Sequence, residues 1–397
     1  MTAICFYFQV HQPVRLKRFS LFAENLPEDL YARYFDDELN RKIYNKVADK
    51  CYLPTNTLLL KLINKYNGKF KVSFSLTGTF LEQTKKYRPE VLDSFHALSE
   101  TGCVDFLNET YYHSLSSLFE DKLEFVEQVR MHADELRNLF GVSSRIFRNT
   151  EALFSNDIAR LVEELGYGGI IAEGFESILG WRSPNYVYSV RGCKKIKALL
   201  RNYKLSDDVS YRFSARWWNE WPLTADKYAL WLASSPGQCI NLFMDYETFG
   251  EHQWKETGIF EFLEHLPHEV FKHQHLEFKT PDEVISENPP VGEIDVPHPL
   301  SWADIERDAS AWLGNNMQRE CFNLLESLER KVKETHDKDL LHVWRLLQNS
   351  DHLYYLCTKS WADGDVHKYF SPFQSPYEGF INYMNILQDF KEKVEKF

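Results

Sequence analysis

The fold turns on one stretch, Gln238-Cys239-Ile240-Asn241-Leu242-Phe243-Met244-Asp245-Tyr246-Glu247-Thr248-Phe249-Gly250-Glu251-His252. Its first half is a short apolar run, the pattern of a strand buried on both faces in a parallel sheet. Its second half sets Asp245, Glu247 and Glu251, with Gly250 and His252, directly behind that run. Carboxylates at the end of a buried strand cost free energy unless partners or a ligand receive them. In an α/β barrel that end of the strands is where the chemistry sits.

Six upstream segments repeat the design of an apolar run closed by a polar cluster. Residues 3–9 precede His11-Gln12-Pro13, residues 71–76 precede Thr77-Gly78-Thr79, and residues 103–107 precede Asn108-Glu109-Thr110. Residues 145–148 lead to Asn149-Thr150-Glu151, residues 168–172 to Glu173-Gly174, and residues 197–201 to a polar loop around Asp207 and Asp208. Helical or irregular sequence separates them, and strands alternating with helices imply a parallel sheet. An open doubly wound sheet is the alternative, and it would usually carry a Gly-rich phosphate loop after the first strand. This chain has His11-Gln12-Pro13 there, so a closed or nearly closed barrel is expected.

After Gly250 no strand is expected and helical periodicity takes over, over residues 259–266, 304–334, 339–358 and 377–395. Ser301 reads as the N-cap of the second of these, with Asp304 in the capping-box position. The expected organisation is a barrel domain over residues 1–260 and a helical domain over 261–397.

A net charge of −12 argues against nucleic acid and against an anionic membrane surface, both of which require Lys and Arg. A neutral polar substrate fits better. Aromatic residues make up 15% of the chain, enough for a large core and for a groove on which sugar rings stack. The seven cysteines are scattered, and Cys5, Cys103 and Cys239 lie in apolar runs, which suggests reduced thiols and a cytoplasmic setting. Residues 1–10 read as a first strand and not as a signal peptide, and no apolar run reaches the length of a membrane span. No ligand motif of known spacing is present, so neither metal nor cofactor is expected. Self-association into a homo-oligomer is left open.

Two acids stand at the ends of different strands, Glu151 and Asp245. Glycosidic cleavage uses such a pair, one carboxylate at the anomeric carbon and one acid at the leaving oxygen. The two must ionise differently, and Arg148, three residues before Glu151, could hold it ionised. Either acid could instead cap a helix or pair with an arginine. His11 and Gln12 could bind sugar hydroxyls or serve as structural hydrogen-bonders. Glu109 with His113 four residues on, beside Tyr111 and Tyr112, is a similar pair. Trp302 and Trp312 could edge a substrate groove, or Trp312 could be core.

Taken together, the motifs resemble glycoside hydrolase family 57, the α-amylase and 4-α-glucanotransferase family. The likeness rests on His11-Gln12-Pro13, on residues 102–114 with Glu109 and Tyr-Tyr-His, on Phe147-Arg148-Asn149-Thr150-Glu151, on residues 243–250, and on residues 300–315 beginning Leu300-Ser301-Trp302-Ala303-Asp304. The resemblance implies an incomplete seven-stranded (β/α) barrel followed by a C-terminal helical bundle. It implies a retaining mechanism with Glu151 as nucleophile and Asp245 as general acid/base. It places His11, Glu109 and Glu247 around the sugar, with His113 beside them and Trp302 and Asp304 completing the groove from the helical domain. Gln9 stands where some members carry a histidine, and it can still hydrogen-bond a hydroxyl. The implied activity is hydrolysis of α-1,4 links in starch, glycogen or maltodextrin. A 4-α-glucanotransferase or branching enzyme sharing the covalent intermediate is the alternative, and a non-catalytic α-glucan binder a second.

Overall fold

The computed structural model describes residues 1–21, 26–359 and 371–396. Its strands are β1 (Thr2–Val10), β2 (Val72–Leu76), β3 (Val104–Phe106), β4 (Ile146–Arg148), β5 (Gly169–Glu173), β6 (Val187–Val190), β7 (Lys197–Arg201), β8 (Cys239–Asp245), β9 (Leu276–Phe278) and β10 (Glu293–Ile294). Alternation sorts each barrel strand into two faces. In β1, Ile4, Phe6, Phe8 and Val10 join the large core shared with the surrounding helices, while Ala3, Cys5 and Tyr7 join a smaller cluster on the other side. In β8, Ile240, Leu242 and Met244 go outward, and Cys239 and Phe243 go inward.

Pairing runs in parallel from β3 through β2 and β1 to β8, and from β4 through β5 to β7. Two seams join these sheets into a ring. A parallel bridge between Asn108 and Phe147 links the end of β3 to β4, with Arg148 N donating to Asn108 O at 2.8 Å. Between β7 and β8 there is no ladder. Asn202 N donates to Asn241 O at 2.9 Å, and the Asn241 amide donates to Leu200 O at 2.9 Å. The ring β1-β2-β3-β4-β5-β7-β8 is the expected incomplete seven-stranded barrel.

Three strands lie outside that ring. β6 runs antiparallel to β7, β10 pairs with β6, and β9 pairs with β1 over Thr2–Ile4. β9 and β10 correct the expectation of a strand-free region after Gly250; at three and two residues they are too short for periodicity to register. The helix Pro281–Glu287 sends Val284 and Ile285 into the inner cluster with Ala3 and Cys5, closing the barrel at the N-terminal ends of its strands.

The helix expected from residue 304 starts instead at Asn316, where Asn315 and Gln318 form the capping box. Residues 301–308 are a loop in which Asp304 and Arg307 take φ of 59° and 54°. Ser301 Oγ donates to Asp308 O at 2.7 Å in place of capping a helix. The helix expected over 339–358 is two, Lys338–Leu347 and Ser350–Tyr354, because the Asn349 side chain caps the second. With Asn316–Glu334 and Pro376–Val394 these build a second core around Trp312, Trp344 and Phe390. That core also takes in Leu16, Tyr34 and Phe35 from beyond β1, and Tyr111 and Tyr112 from beyond β3. The helical region is thereby seated against the loops at the C-terminal ends of the strands.

Candidate active site

The last inward position of each barrel strand is polar. Gln9, Ser75, Arg148, Glu173, Arg201 and Asp245 follow inward-facing neighbours two residues earlier, and Glu109 follows Leu107 in the same way. Gln9 is in register with Ser75 on one side and Asp245 on the other, so three polar side chains share a row at the mouth.

Glu151 enters from the turn after β4. Its φ of 56° and that of Ala152, 50°, are unusual for residues with a side chain. Asn149 holds the turn, its side chain accepting from Thr150 N and donating to Leu153 O, both at 3.0 Å. The carboxylate that this turn presents is well supplied with donors. Ser350 Oγ donates to Oε1 at 3.0 Å, the Trp302 indole N–H donates to Oε2 at 3.0 Å, and His113 Nε2 lies 3.3 Å from Oε1.

His113 in turn faces Glu109 through Nδ1 at 3.4 Å, and Gln9 Nε2 lies 3.3 Å from both Glu109 oxygens. Tyr7 OH and Ser75 Oγ donate to Gln9 Oε1 at 2.8 and 2.9 Å, which fixes the amide with its donor end toward Glu109. The His11 ring stacks on His113 with centroids 3.9 Å apart. His11 Nδ1 meets Thr77 Oγ1 at 2.9 Å and Nε2 meets Asp351 Oδ2 at 3.0 Å.

These contacts separate the protonation states. Burial alone would discharge His113, but its bonds to Glu109 and Glu151 outweigh burial and lift it to about 9. Burial opposes ionisation of Glu109, yet the His113 bond and charge bring it down to about 2. Glu151 is likewise lowered against its own desolvation, by His113 and then Arg148. Asp245 moves the other way, to about 6, through desolvation and the nearby charge of Glu151. Glu247 is raised further, to about 8, by burial and by Asp245; Tyr52 OH donates to its Oε1 at 2.5 Å. Burial and neighbouring charge therefore push Glu109 and Glu151 toward the ionised form and Asp245 and Glu247 toward the protonated form.

Trp302 lies over two arginines, with its ring centroid 4.6 Å from the Arg148 guanidinium and 5.8 Å from that of Arg201. Arg201 reaches Phe243 O at 2.7 Å, Glu173 at 3.1 Å and Asp207 at 2.5 Å. Arg307 reaches Glu173 at 3.2 Å. Asp304 is buried and anchors the loop of Trp302 through Lys359 at 2.9 Å. Gln12 Nε2 donates to Tyr52 OH at 3.0 Å, supporting the tyrosine that holds Glu247.

Gln9, His11, Glu109, His113, Glu151, Asp245, Glu247 and Trp302 are thus joined by direct bonds, stacking or charge. Ser350 and Asp351 were not singled out from sequence. Their signal was the polar run Asn349-Ser350-Asp351-His352 inside an otherwise amphipathic helical pattern. Among the described residues no group of His, Cys, Asp and Glu is arranged to hold a metal ion, and no helix is long and apolar enough to cross a membrane.

The sequence profile of Glycosyl hydrolase family 57 matches residues 5–297. The chain belongs to this family. A Methanocaldococcus jannaschii protein described as "Putative alpha-amylase" is 49% identical over 99% of this chain and 85% of its own length. Among solved structures, a GH57 branching enzyme from Thermococcus kodakaraensis is similar with a TM-score of 0.71 at 12% identity, over 98% of this chain and 90% of that one. The 4-alpha-glucanotransferase of Thermococcus litoralis is similar with a TM-score of 0.60 at 17% identity over 89% of this chain, which spans only 51% of that protein. At these identities the structural likenesses carry the fold: a family 57 barrel with its helical companion.

Proposed function

We propose that this family 57 chain is a retaining hydrolase of α-1,4-glucosidic bonds in α-glucans. Glu151 attacks the anomeric carbon as Asp245 protonates the departing glycosidic oxygen. Asp245 then takes a proton from water, and that water displaces the sugar from Glu151. The observation that carries the reading is the opposite bias of the two carboxyls: Glu151 is lowered by His113 and Arg148, and Asp245 is raised by desolvation and by Glu151. A nucleophile has to be ionised and a general acid has to hold its proton, so this bias supports the two roles.

Around them, Gln9, His11, Glu109, His113 and Glu247 offer hydrogen-bonding groups to sugar hydroxyls, Trp302 offers an aromatic face, and Asp304 fixes the Trp302 loop. The α-amylase name of the Methanocaldococcus jannaschii relative supports α-glucan as the substrate class. The seven cysteines of the chain are all free thiols, in keeping with a cytoplasmic location.

Digests of starch, glycogen and maltodextrin should release shorter oligosaccharides that appear first as the α-anomer by proton NMR. Glu151→Gln and Asp245→Asn should each lower kcat by at least ~10³-fold with the fold intact. Initial release of the β-anomer, or full activity in Glu151→Gln, would refute the assignment. Products longer than maltotriose from maltotriose alone would turn the assignment to a transferase.

A further inference from the structure

Two arginines line the barrel mouth beneath Trp302, and they are treated differently. Arg201 has an acceptor for each guanidinium nitrogen, in Phe243 O, Glu173 and Asp207. Arg148 is fully buried, and none of its three guanidinium nitrogens has a hydrogen-bond partner among the described residues. The Trp302 face lies over it, 4.6 Å away. A buried cation without acceptors is strongly destabilising, and an arginine kept purely for structure would be paired as Arg201 is.

The groups whose charge reaches Arg148, Glu151 or Asp245 come from several elements. They are Tyr7 on β1, Glu109 and His113 beyond β3, Arg201 on β7, Asp245 and Glu247 at the end of β8, and Asp351 on the helix Ser350–Tyr354. The charge of Arg148 bears on four of its neighbours at once, Tyr7, Glu109, Glu151 and Asp245, and favours the anion of each. Bonded to none of them, it cannot be neutralised by one carboxylate at the expense of another.

We propose that Arg148 is a positioning residue for catalysis: an unbonded guanidinium, locked under Trp302, that serves as the fixed charge against which Glu151 and Asp245 divide one proton. The inference rests on the glycosidase reading for the roles of those two acids. Its test does not require turnover. In whole protein labelled with carbon-13 at the Asp and Glu carboxyls, the signals of residues 151 and 245 are assigned by their loss in Glu151→Gln and Asp245→Asn. Their midpoints are then followed against pH in wild type, Arg148→Met and Arg148→Lys.

Arg148→Met should move both midpoints upward by about one pH unit or more, while Arg148→Lys, which keeps the charge, should hold both within about half a unit. A merely structural arginine would lower stability and activity in Arg148→Met and leave the midpoints in place. If Arg148→Met does not fold, Arg148→Gln is neutral and makes the same prediction. Unmoved midpoints in a folded neutral variant, or a shift in Arg148→Lys as large as in the neutral one, overturn the proposal. Absence of product from every α-glucan in wild type would instead overturn the glycosidase reading and leave the titration result standing.

Discussion

At the level of single residues, His113 governs the charge balance of the mouth. It is wedged between Glu109 at 3.4 Å and Glu151 at 3.3 Å, and His11 covers its ring. Carboxylate, imidazolium and carboxylate alternate, so no two like charges meet directly along the chain of contacts. Removing the cation leaves two buried anions facing each other. His113→Gln should therefore cost on the order of 3 kcal/mol near neutral pH, the scale of breaking a buried ion pair. The pH dependence follows from the signs. His113 is raised to about 9, so its contribution is complete below the ordinary imidazole value and is lost as pH rises through about 9. Glu109 is lowered to about 2, so its contribution is complete above the ordinary carboxylate range and fades as pH falls toward about 2. Denaturant unfolding of wild type and His113→Gln across this range should show the widest gap in mildly acidic solution, closing toward both extremes. A gap independent of pH would mean that packing, not charge, holds this residue in place.

Among the elements, the strand ends could be read from sequence and the companions that dock on them could not. Each barrel strand is an apolar run ending in polar residues, and the inward parity of that run carries Gln9, Arg148 and Asp245 into the mouth without further information. Glu151 was legible as the end of the polar cluster behind β4, although a turn with positive φ, and not strand parity, aims it. Ser350 and Asp351 were not, because their helix lies about 100 residues beyond the last barrel strand and nothing local indicates where it lands. Pro54 falls in the first turn of Leu53–Lys65, where its missing N–H costs nothing, directly after a π-helical turn over Ala48–Tyr52. That turn serves the site: it aims Tyr52 at Glu247, and Cys51 Sγ donates to Tyr246 O at 3.2 Å. The loop after β8 closes on the same turn through Gly250, whose φ is 112° and whose added Cβ would lie 2.0 Å from Lys50 O. The obstacle is backbone and cannot swing aside. Gly250→Ala should destabilise the protein by about 2–4 kcal/mol, from strain and overpacking together. It should also lower kcat disproportionately, because Glu247 and Asp245 share the displaced segment. Thermal melting and steady-state rates on one preparation would separate the two effects; an unchanged rate in a destabilised variant would detach this loop from the site.

For the molecule as a whole, the question is where the barrel ends and whether the helical region is a separable partner. A division at residue 260 leaves β9, which pairs with β1, and the basal helix Pro281–Glu287 on the far side of the cut. We propose that the division falls near residue 297, after β10 has joined β6. Even there the halves are not independent. The helical core includes Leu16, Tyr34, Phe35, Tyr111 and Tyr112 from the barrel's own loops, and all are buried. The site is shared in the same way: the chain after 297 supplies Trp302, Ser350 and Asp351, whose bonds hold Glu151 and His11. A chain ending at residue 297 would uncover several large aromatic side chains, each worth about 1.5–3 kcal/mol when fully buried. It should bind a hydrophobic dye, elute as aggregates on gel filtration, and have no measurable activity on α-glucan. Supplying residues 298–397 as a second chain should restore part of both solubility and rate, since the interface is apolar at its centre and the catalytic contacts lie along it. A well-behaved monomer of 1–297 with wild-type turnover would show that the barrel carries its chemistry alone, and that Trp302, Ser350 and Asp351 are bystanders to Glu151.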